Sequence, residues 1–173
     1  MASSNGTKKN GNRRKLPYLY LGVDGGGTKT TAALMNASQE IVAEGTAGPS
    51  NPLRVGVETA VTNIARAIEV ACDSADLVRV DIAAATLGLA GVRRQDIRER
   101  VLDSFSRRQN VQNTTVVTDA EIALFGTTLG KAGIVVIAGT GSVCLGKDDD
   151  GKLAISGGWG PLAGDEGGGV GIA

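Results

Sequence analysis

Residues 22–30 read Gly22-Val-Asp-Gly-Gly-Gly-Thr-Lys-Thr30, between an apolar run at 18–23 and a second one at 30–35. Three consecutive glycines between two strand-like runs let the backbone take positive φ and let a ligand approach the main-chain N–H groups. An acid, Asp24, enters this turn, and the hydroxyls of Thr28 and Thr30 leave it. This is the chemistry of a loop that holds a phosphate group and its metal ion, with a plain tight hairpin as the alternative.

The glycine turn fits neither of two common nucleotide-binding motifs. A Walker A loop needs Lys directly after its second spaced glycine, but Thr28 follows Gly27 and Lys29 comes one place late. A dinucleotide fingerprint needs a third glycine that opens a helix, whereas the residues after this turn are strand-like. The phosphate-binding arrangement that remains is two facing β-hairpins, each offering backbone N–H and hydroxyl groups.

The composition fits one globular domain, or one domain and part of another, because 42% of the 173 residues are hydrophobic and 21% are charged. There is no His, which excludes His-based catalysis and His-ligated metal. Cys72 and Cys144 lie far apart in the sequence, so we interpret them as reduced core thiols of a cytoplasmic protein. No apolar run approaches the length of a membrane span, and we expect neither a membrane nor a nucleic-acid partner.

The zero net charge hides a basic N-terminal segment. Residues 1–15 carry five basic side chains and no acid, so the rest of the chain is acidic by the same five charges. Residues 1–17 are rich in Ser, Asn, Gly and Lys and have little to bury, which predicts a disordered tail. This tail lacks the apolar core of a secretory signal. A solvated leader is the simpler interpretation, and a weak targeting role is the alternative.

Hydrophobic periodicity predicts a first lobe at residues 18–131. It begins with three short strands joined by tight turns, and the later elements alternate between helix and strand. The predicted strands are 18–23, 30–35, 39–44, 80–87 and 114–118, the predicted helices are 55–72, 96–107 and 119–129, and 88–91 is a turn. The order β-β-β-α-β-α-β-α predicts an α/β fold, a ribonuclease-H-like (actin-like ATPase) lobe.

A second set of parts then repeats the first. Strands are predicted at 133–138, 143–147 and 153–156, with the glycine-rich turn Gly139-Thr-Gly-Ser142 after the first of them. Residues 138–158 have nearly the length and the order of parts of residues 24–45, which predicts an internal structural duplication. Two similar lobes would each present a glycine turn to a shared cleft. Residues 132–173 are then an incomplete second lobe that holds its first three strands and none of its helices.

Asp119 is the candidate for acid–base chemistry. It stands where strand 114–118 ends and a helix begins, and such strand ends face the binding cleft in open α/β sheets. Capping of the helix explains this residue equally well. Its functional role would be to accept the proton of an attacking hydroxyl group. We interpret Glu121 as a complement to the helix dipole.

Glycine is concentrated a second time at residues 157–169, together with Trp159, Asp165 and Glu166. A segment so dense in glycine and carrying an acid pair does not belong in a core. We interpret it as a loop that faces a ligand, with a flexible tail as the alternative.

Six segments occur in an order that is typical of one family. They are Asp24-Gly-Gly-Gly-Thr28, Gly48-Pro-Ser-Asn51, Gly88-Leu-Ala-Gly91, Thr118-Asp-Ala120, Gly139-Thr-Gly-Ser142 and Gly157-Gly-Trp-Gly160 followed by Gly164-Asp-Glu-Gly167. In this order they resemble the N-acetylglucosamine kinases and the wider group of BadF/BadG/BcrA/BcrD-type ATPases, within the sugar kinase, heat-shock-cognate and actin superfamily. The resemblance covers about residues 18–170.

The resemblance implies an ATP-dependent kinase that uses Mg²⁺ and phosphorylates an amino sugar, above all N-acetylglucosamine, on its 6-hydroxyl group. Asp119 would be the catalytic base, and Asp24 would help to position Mg²⁺. The two phosphate loops would consist of Gly25, Gly26, Gly27, Thr28 and Lys29 in the first lobe and of Thr140, Gly141 and Ser142 in the second. The sugar would be held by Asn51 and Asp165, with Gly88, Ala90, Gly91 and Trp159 nearby.

Two departures from the family bear on function. Family members continue into helices that complete the second lobe and an adenosine-binding loop, so we expect a kinase impaired by truncation. Val143 stands where some N-acetylglucosamine kinases have a polar residue, which leaves glucosamine or another hexose as an alternative substrate. Two other functions stay open. One is an inactive lobe that binds sugar or a partner subunit, a homodimer included. The other is an activator ATPase, although two scattered cysteines argue against its iron–sulfur cluster.

Overall fold

The computed structural model of the protein describes residues 18–77, 81–138 and 141–158. Its first lobe contains a five-stranded sheet in the order β3-β2-β1-β4-β5. The strands are β1 Leu19–Gly25, β2 Thr30–Met35, β3 Ile41–Ala47, β4 Ile82–Leu89 and β5 Thr114–Thr118. β1, β2 and β3 are antiparallel neighbours, β4 is parallel to β1, and β5 is parallel to β4. The ribonuclease-H-like layout predicted from the sequence is therefore confirmed.

The register of the parallel strands brings three strand ends to one edge of the sheet. Gly25 at the end of β1 lies beside Leu89 at the end of β4, and Leu89 lies beside Thr118 at the end of β5. The glycine turn after β1, the loop after β4 and the helix that follows β5 therefore meet at this edge. Such an edge is where open α/β sheets bind ligands.

Four helices are present in the described residues, namely α1 Pro52–Val55, α2 Val57–Ser74, α3 Gln95–Gln109 and α4 Asp119–Thr128. One face of the sheet packs against α2 and α3 in a core that includes Leu21, Leu34, Ile64 and Phe105. A Cβ atom at Gly45 would collide with the backbone of α2, so glycine at this position lets β3 approach the helix closely.

Helix α4 lies between the first sheet and a second one. The second sheet is an antiparallel meander of β6 Gly133–Ala138, β7 Ser142–Lys147 and β8 Leu153–Gly157. Ala120 and Leu124 of α4 form a small core with Leu145 of β7. The opposite face of β6 is open to solvent, because Ile134 and Val136 are 73% and 70% exposed. The three strands predicted for the second lobe are thus present.

β1 and β4 extend further at their carboxyl ends than the sequence pattern predicted. β1 continues through Asp24 and Gly25, because these two residues pair with Gly88 and Leu89 of β4. The predicted turn at 88–91 is therefore wrong for its first two residues, which belong to the strand.

Two further boundaries differ from the prediction. The helix predicted at 55–72 is divided by Gly56, whose φ of +81° is unfavourable for a residue with a side chain and separates α1 from α2. β3 begins at Ile41 and not at residue 39. The cause is a turn in which the Oδ1 atom of Asn36 accepts hydrogen bonds from the N–H groups of Ser38 and Glu40.

Several predictions fall on residues that the structure does not describe. The basic tail at 1–17 lies outside the described residues, and so do Trp159 and Asp165 of the glycine-rich segment. The predicted division into lobes between residues 131 and 132 stays a prediction. Among the described helices, none is both long and apolar enough to cross a membrane.

Candidate functional site

A cleft of about 590 Å³ lies between the three strand ends of the first sheet and the second sheet. Its walls include the glycine turn, the loop that precedes α1, the loop after β4, the start of α4 and the first residues of β7. A larger groove of about 830 Å³ is lined by Tyr18, Cys72 and Asp81, among others, and contains none of the residues predicted to act in function. The smaller cleft is therefore the candidate site.

The glycine turn is a candidate anion site, because several of its backbone N–H groups have no acceptor among the described residues. The turn is closed by a 2.9 Å hydrogen bond from the Gly26 N–H to the Lys29 carbonyl oxygen, and it is tied to the loop before α1 by the Gly26 carbonyl oxygen, which accepts from the N–H groups of Ser50 and Asn51. Within the described residues, the N–H groups of Gly27, Thr28 and Lys29 have no acceptor. Successive free N–H groups in a turn form a concavity that suits phosphate oxygens.

Thr30 does not belong to the phosphate loop, although the sequence suggested it. Its side chain is fully buried, and its hydroxyl group donates to the Gly48 carbonyl oxygen at 2.6 Å and lies 2.8 Å from the Ser50 hydroxyl oxygen. These contacts fix residues 48–51 against the glycine turn. Gly25 serves the same purpose, because a Cβ atom there would collide with Ser50.

Asn51 is held in the wall of the cleft by its own helix. It is the N-cap of α1, where its Oδ1 atom accepts from the Leu53 N–H at 3.0 Å. Its side chain lies against Gly91, at which a Cβ atom would collide with it and where φ is +83°. Glycine at 91 therefore makes room for Asn51, whose amide NH₂ group has no partner among the described residues.

Of the loop residues predicted to lie near a sugar, two line the cleft and one does not. Ala90 and Gly91 are in its wall, and the Ala90 N–H donates to the Gly25 carbonyl oxygen at 2.8 Å. Gly88 is buried under α4, and a Cβ atom there would collide with Ile122. Gly88 is not part of the described cleft lining, and its lack of a side chain serves the packing of α4 on β4.

Asp119 opens α4 as its first residue and lines the cleft. Helix capping does not explain the acid at position 119, because the N-cap of α4 is Thr118. The Thr118 hydroxyl oxygen accepts from the Glu121 N–H at 3.2 Å. Glu121 completes a capping box by accepting from the Thr118 N–H at 2.7 Å, and it also forms a 2.9 Å salt bridge with Arg98. This network fixes the first turn of α4 and thereby the backbone of Asp119.

The electrostatics of Asp119 favour a proton acceptor. Burial raises the pKa of Asp119 above the ordinary aspartate value, and the negative charge of Asp24 raises it further, although a hydrogen bond from the Ala120 N–H opposes both effects. Asp24 is on the same side of the sheet as α4, because it is the register partner of Gly88, which faces that helix. A carboxylate with a raised pKa takes up a proton more readily near neutral pH.

Asp24 and Asp119 together suit Mg²⁺ better than they suit a metal ion whose ligands are all protein side chains. Mg²⁺ is commonly bound by one or two carboxylates together with substrate phosphates and water. Within residues 18–77, 81–138 and 141–158 no group of three or more Asp, Glu, Cys or His side chains is close enough to hold a metal ion. Two carboxylates beside a phosphate loop agree with the first arrangement.

The structure describes part of the second glycine turn. Gly141, Ser142 and Val143 line the cleft opposite the first turn, whereas Thr140 lies outside the described residues. Arg93, in the loop after β4, connects the two sheets, because its guanidinium donates to the carbonyl oxygens of Gly157 and Gly158 at 3.3 and 3.1 Å.

Residues 21–173 match the profile of the BadF/BadG/BcrA/BcrD ATPase family. The chain belongs to this family. The resemblance found in its six motifs is therefore confirmed.

Named relatives in this family include sugar kinases. The chain is 34% identical over 152 residues to the N-acetylmuramic acid/N-acetylglucosamine kinase of Clostridium acetobutylicum, covering 88% of this chain and 50% of that protein. It is 32% identical over 163 residues to the N-acetyl-D-glucosamine kinase of Dictyostelium discoideum, covering 89% and 51%. The chain thus spans about half the length of the curated relatives it matches.

Solved structures support the fold. One from Chromobacterium violaceum, assigned as an N-acetylglucosamine kinase, superposes with a TM-score of 0.75 at 30% identity, covering 86% of this chain and 51% of that one. A ROK family glucokinase from Streptomyces griseus, in complex with glucose and AMPPNP, superposes with a TM-score of 0.56 at 22% identity, covering 79% and 46%.

The structure brings most of the site residues predicted from this family into one cleft. Gly27, Thr28, Asn51, Ala90, Gly91, Asp119, Gly141 and Ser142 line it. Asp24, Gly25, Gly26 and Lys29 adjoin it through the glycine turn and β1. Sequence reasoning missed Arg54 and Arg93, since single arginines outside a motif give no signal until the fold places them in the cleft wall.

Proposed function

We propose that this member of the BadF/BadG/BcrA/BcrD ATPase family acts in the ATP-dependent phosphorylation of an amino sugar, with N-acetylglucosamine as the acceptor and its 6-phosphate as the product. One observation carries the proposal. Asp119, with its raised pKa, lines the same cleft as a glycine turn in which three successive N–H groups have no acceptor among the described residues. A proton acceptor beside a phosphate-binding loop is what transfer of a phosphoryl group to a hydroxyl group requires.

Asp119 would accept the proton of the attacking sugar hydroxyl. Its carboxylate stands at the amino end of α4, and the capping box of Thr118 and Glu121 holds that helix turn in place. Proton acceptance by a positioned carboxylate contributes about 10²- to 10⁴-fold to the rate of such reactions. The raised pKa supports this role, since a base works best when its pKa approaches the working pH.

The glycine turn would bind the phosphate groups of ATP through the N–H groups of Gly27, Thr28 and Lys29. Asp24 would hold Mg²⁺, which neutralises the charge on the phosphate oxygens when it is bound. Asn51 would meet the sugar with its amide group, next to Ala90 and Gly91. Preorganised donors of this kind carry most of the catalysis in phosphoryl transfer.

The identity of the sugar is supported by the names of relatives. Two relatives are named as kinases of N-acetylglucosamine, and a third, 34% identical over 123 residues, is named a glucosamine kinase from Vibrio cholerae. We therefore propose N-acetylglucosamine first and glucosamine second.

A different function, a lobe that associates with another chain, has one observation in its favour. Ile134 and Val136 form an apolar face of β6 that is open to solvent. A surface that becomes buried on association has this character in the unassociated chain. A second copy of the chain or a partner subunit would cover this face.

A coupled assay of ADP release, with and without N-acetylglucosamine, tests the kinase. Asp119→Asn should reduce sugar-dependent ADP release by at least 100-fold, because the amide does not accept the proton. Asp103→Asn is the matched control, since Asp103 is an exposed residue of α3 paired with Arg107 and lies outside the cleft lining. Sugar-independent ADP release would point to an activator ATPase. Absence of ADP release together with self-association would point to the binding lobe.

A further inference from the structure

We propose that Arg54 is an oxyanion-binding residue of the cleft and holds the terminal phosphoryl group of ATP against the glycine turn. This assignment rests on the proposed function, and it adds a residue that lies outside the six motifs. Arg54 is in the last turn of α1, three residues after Asn51.

The guanidinium of Arg54 lies over the glycine turn. A Cβ atom at Gly27 would be 2.7 Å from its Nη1 atom, 3.5 Å from its Cδ atom and 3.6 Å from its Cζ atom. The first distance is shorter than a nonbonded contact permits, so Gly27 gives Arg54 access to the turn. Arg54 therefore shares the cleft wall with Gly27 and Thr28, whose N–H groups have no acceptor among the described residues.

Arg54 differs from the two other arginines that line the described cleft. Arg94 is engaged by Asp96 through two hydrogen bonds of 2.9 and 2.8 Å. Arg93 donates to the carbonyl oxygens that end β8. Arg54 makes no hydrogen bond or salt bridge with any described residue. Within the described part of the chain its planar fork of donors thus has no partner, and that fork matches phosphate and carboxylate geometry.

Two anions offer the required oxygens. One is the terminal phosphoryl group of ATP, and the other is the carboxylate of an acidic amino sugar, of which N-acetylmuramic acid is an example. The position of Arg54 over Gly27 favours the phosphoryl group, because the free N–H groups of the turn would bind the same oxygens. Asp119 also lines this cleft, and a cation near the transferred group offsets the repulsion between that carboxylate and the phosphate.

Calorimetric titration of the full chain with AMPPNP and with ADP, in the presence of Mg²⁺ and without sugar, tests this role independently of turnover. Arg54→Gln should weaken AMPPNP binding about 10- to 100-fold, the usual effect of losing hydrogen bonds to a charged group, and should leave ADP binding within about twofold. Arg54→Lys should recover part of the loss, because it keeps the charge but not the bidentate geometry. Arg107→Gln is the matched control, since Arg107 is an exposed arginine of α3 outside the cleft lining, and it should bind both nucleotides as the unaltered chain does.

Three results would overturn the assignment. They are unchanged AMPPNP affinity in Arg54→Gln, an equal loss of ADP affinity in that variant, and failure of the unaltered chain to bind AMPPNP. Titration with N-acetylmuramic acid and N-acetylglucosamine separates the two anions, because selective loss of the acidic sugar in Arg54→Gln would assign the carboxylate instead. If Arg54→Gln loses its AMPPNP affinity selectively while the unaltered chain shows no sugar-dependent ADP release, the role of Arg54 in nucleotide binding stands and the proposed kinase function is refuted. Arg54 is exposed, so an unchanged melting temperature should show that the variants are folded.

Discussion

The hydroxyl group of Thr118 should stabilise the turn that carries Asp119, and two substitutions separate this hydroxyl from the rest of the side chain. Thr118→Val keeps the volume and removes the hydroxyl, whereas Thr118→Ser keeps the hydroxyl and removes a methyl group. Thr118 is 6% exposed, so both changes act in a buried position. The comparison therefore tests the cap directly.

The expected magnitudes follow from the contacts of Thr118. Its hydroxyl oxygen accepts from the Glu121 N–H at 3.2 Å and lies 2.8 Å from the Glu121 Oε2 atom, to which it donates. Loss of an N-cap costs about 1 kcal/mol, and loss of a hydrogen bond to a carboxylate that keeps other partners adds about 1 kcal/mol. Thr118→Val should therefore reduce the free energy of unfolding by about 2 kcal/mol. Thr118→Ser should lose about 0.8 kcal/mol, the value of one buried methyl group.

Urea denaturation followed by circular dichroism measures both variants, and thermal melting checks them. In a domain of this size, the Thr118→Val loss corresponds to a decrease in melting temperature of about 4 to 8 °C. The capping network would be refuted if Thr118→Val remained within about 0.5 kcal/mol of the unaltered chain, or if Thr118→Ser were the less stable variant. Either outcome would mean that the Thr118 hydroxyl does not hold the start of α4.

Two further predictions concern the packing of α4 and the ionisation of Asp119. Gly88→Ala should lower the free energy of unfolding by about 1 to 3 kcal/mol, because the new Cβ atom would collide with Ile122. In Gly126→Ala, the control in α4, the new Cβ atom meets nothing within 4 Å, so the free energy of unfolding should be equal or higher. Equal stability of the two variants in urea would contradict this packing. Sugar-dependent ADP release should fall as the pH is lowered, with a midpoint above the ordinary aspartate pKa, because burial and Asp24 raise the pKa of Asp119 and protonation removes the base. A kcat/KM profile measures this midpoint, and a value at or below the ordinary one would show that another group limits the rate.

Element types were predictable wherever one local pattern dominated. β5 and β6 have the predicted bounds, because their β-branched runs are short and are ended by turn or capping residues. Strand ends were less predictable, as β1 and β4 show. Asp24 and Gly88 have poor strand propensity, but they pair with each other across the parallel register, and this nonlocal pairing extends both strands.

The site shows the same division between local and nonlocal information. Asp119 and the glycine turn were identified from sequence, because glycine clusters and strand-end acids are local signals. The sequence pattern placed Thr30 in the phosphate loop, and the family resemblance placed Gly88 near the sugar. In the structure Thr30 is buried against residues 48–51 and Gly88 packs under α4. Each lies close in sequence to residues that line the cleft, but side-chain direction depends on the face of the strand and on which helix covers it. Arg54 became visible only when its neighbours in the fold were known.

By itself, the sequence of this protein determined the family, the order of its elements and the glycine turn, because motifs and apolar periodicity are properties of consecutive residues. The tertiary structure decided which groups stabilise this turn and which remain available to a ligand. Thr30, Ser50 and the Gly26 carbonyl oxygen support the turn from within. In the described part of the chain the N–H groups of Gly27, Thr28 and Lys29 have no acceptor, and Arg54 lies over Gly27. Some hydrogen-bond donors of a loop stabilise the loop itself, and others remain available to a ligand. Residues distant in sequence decide which donors are which, and only folding brings those residues together.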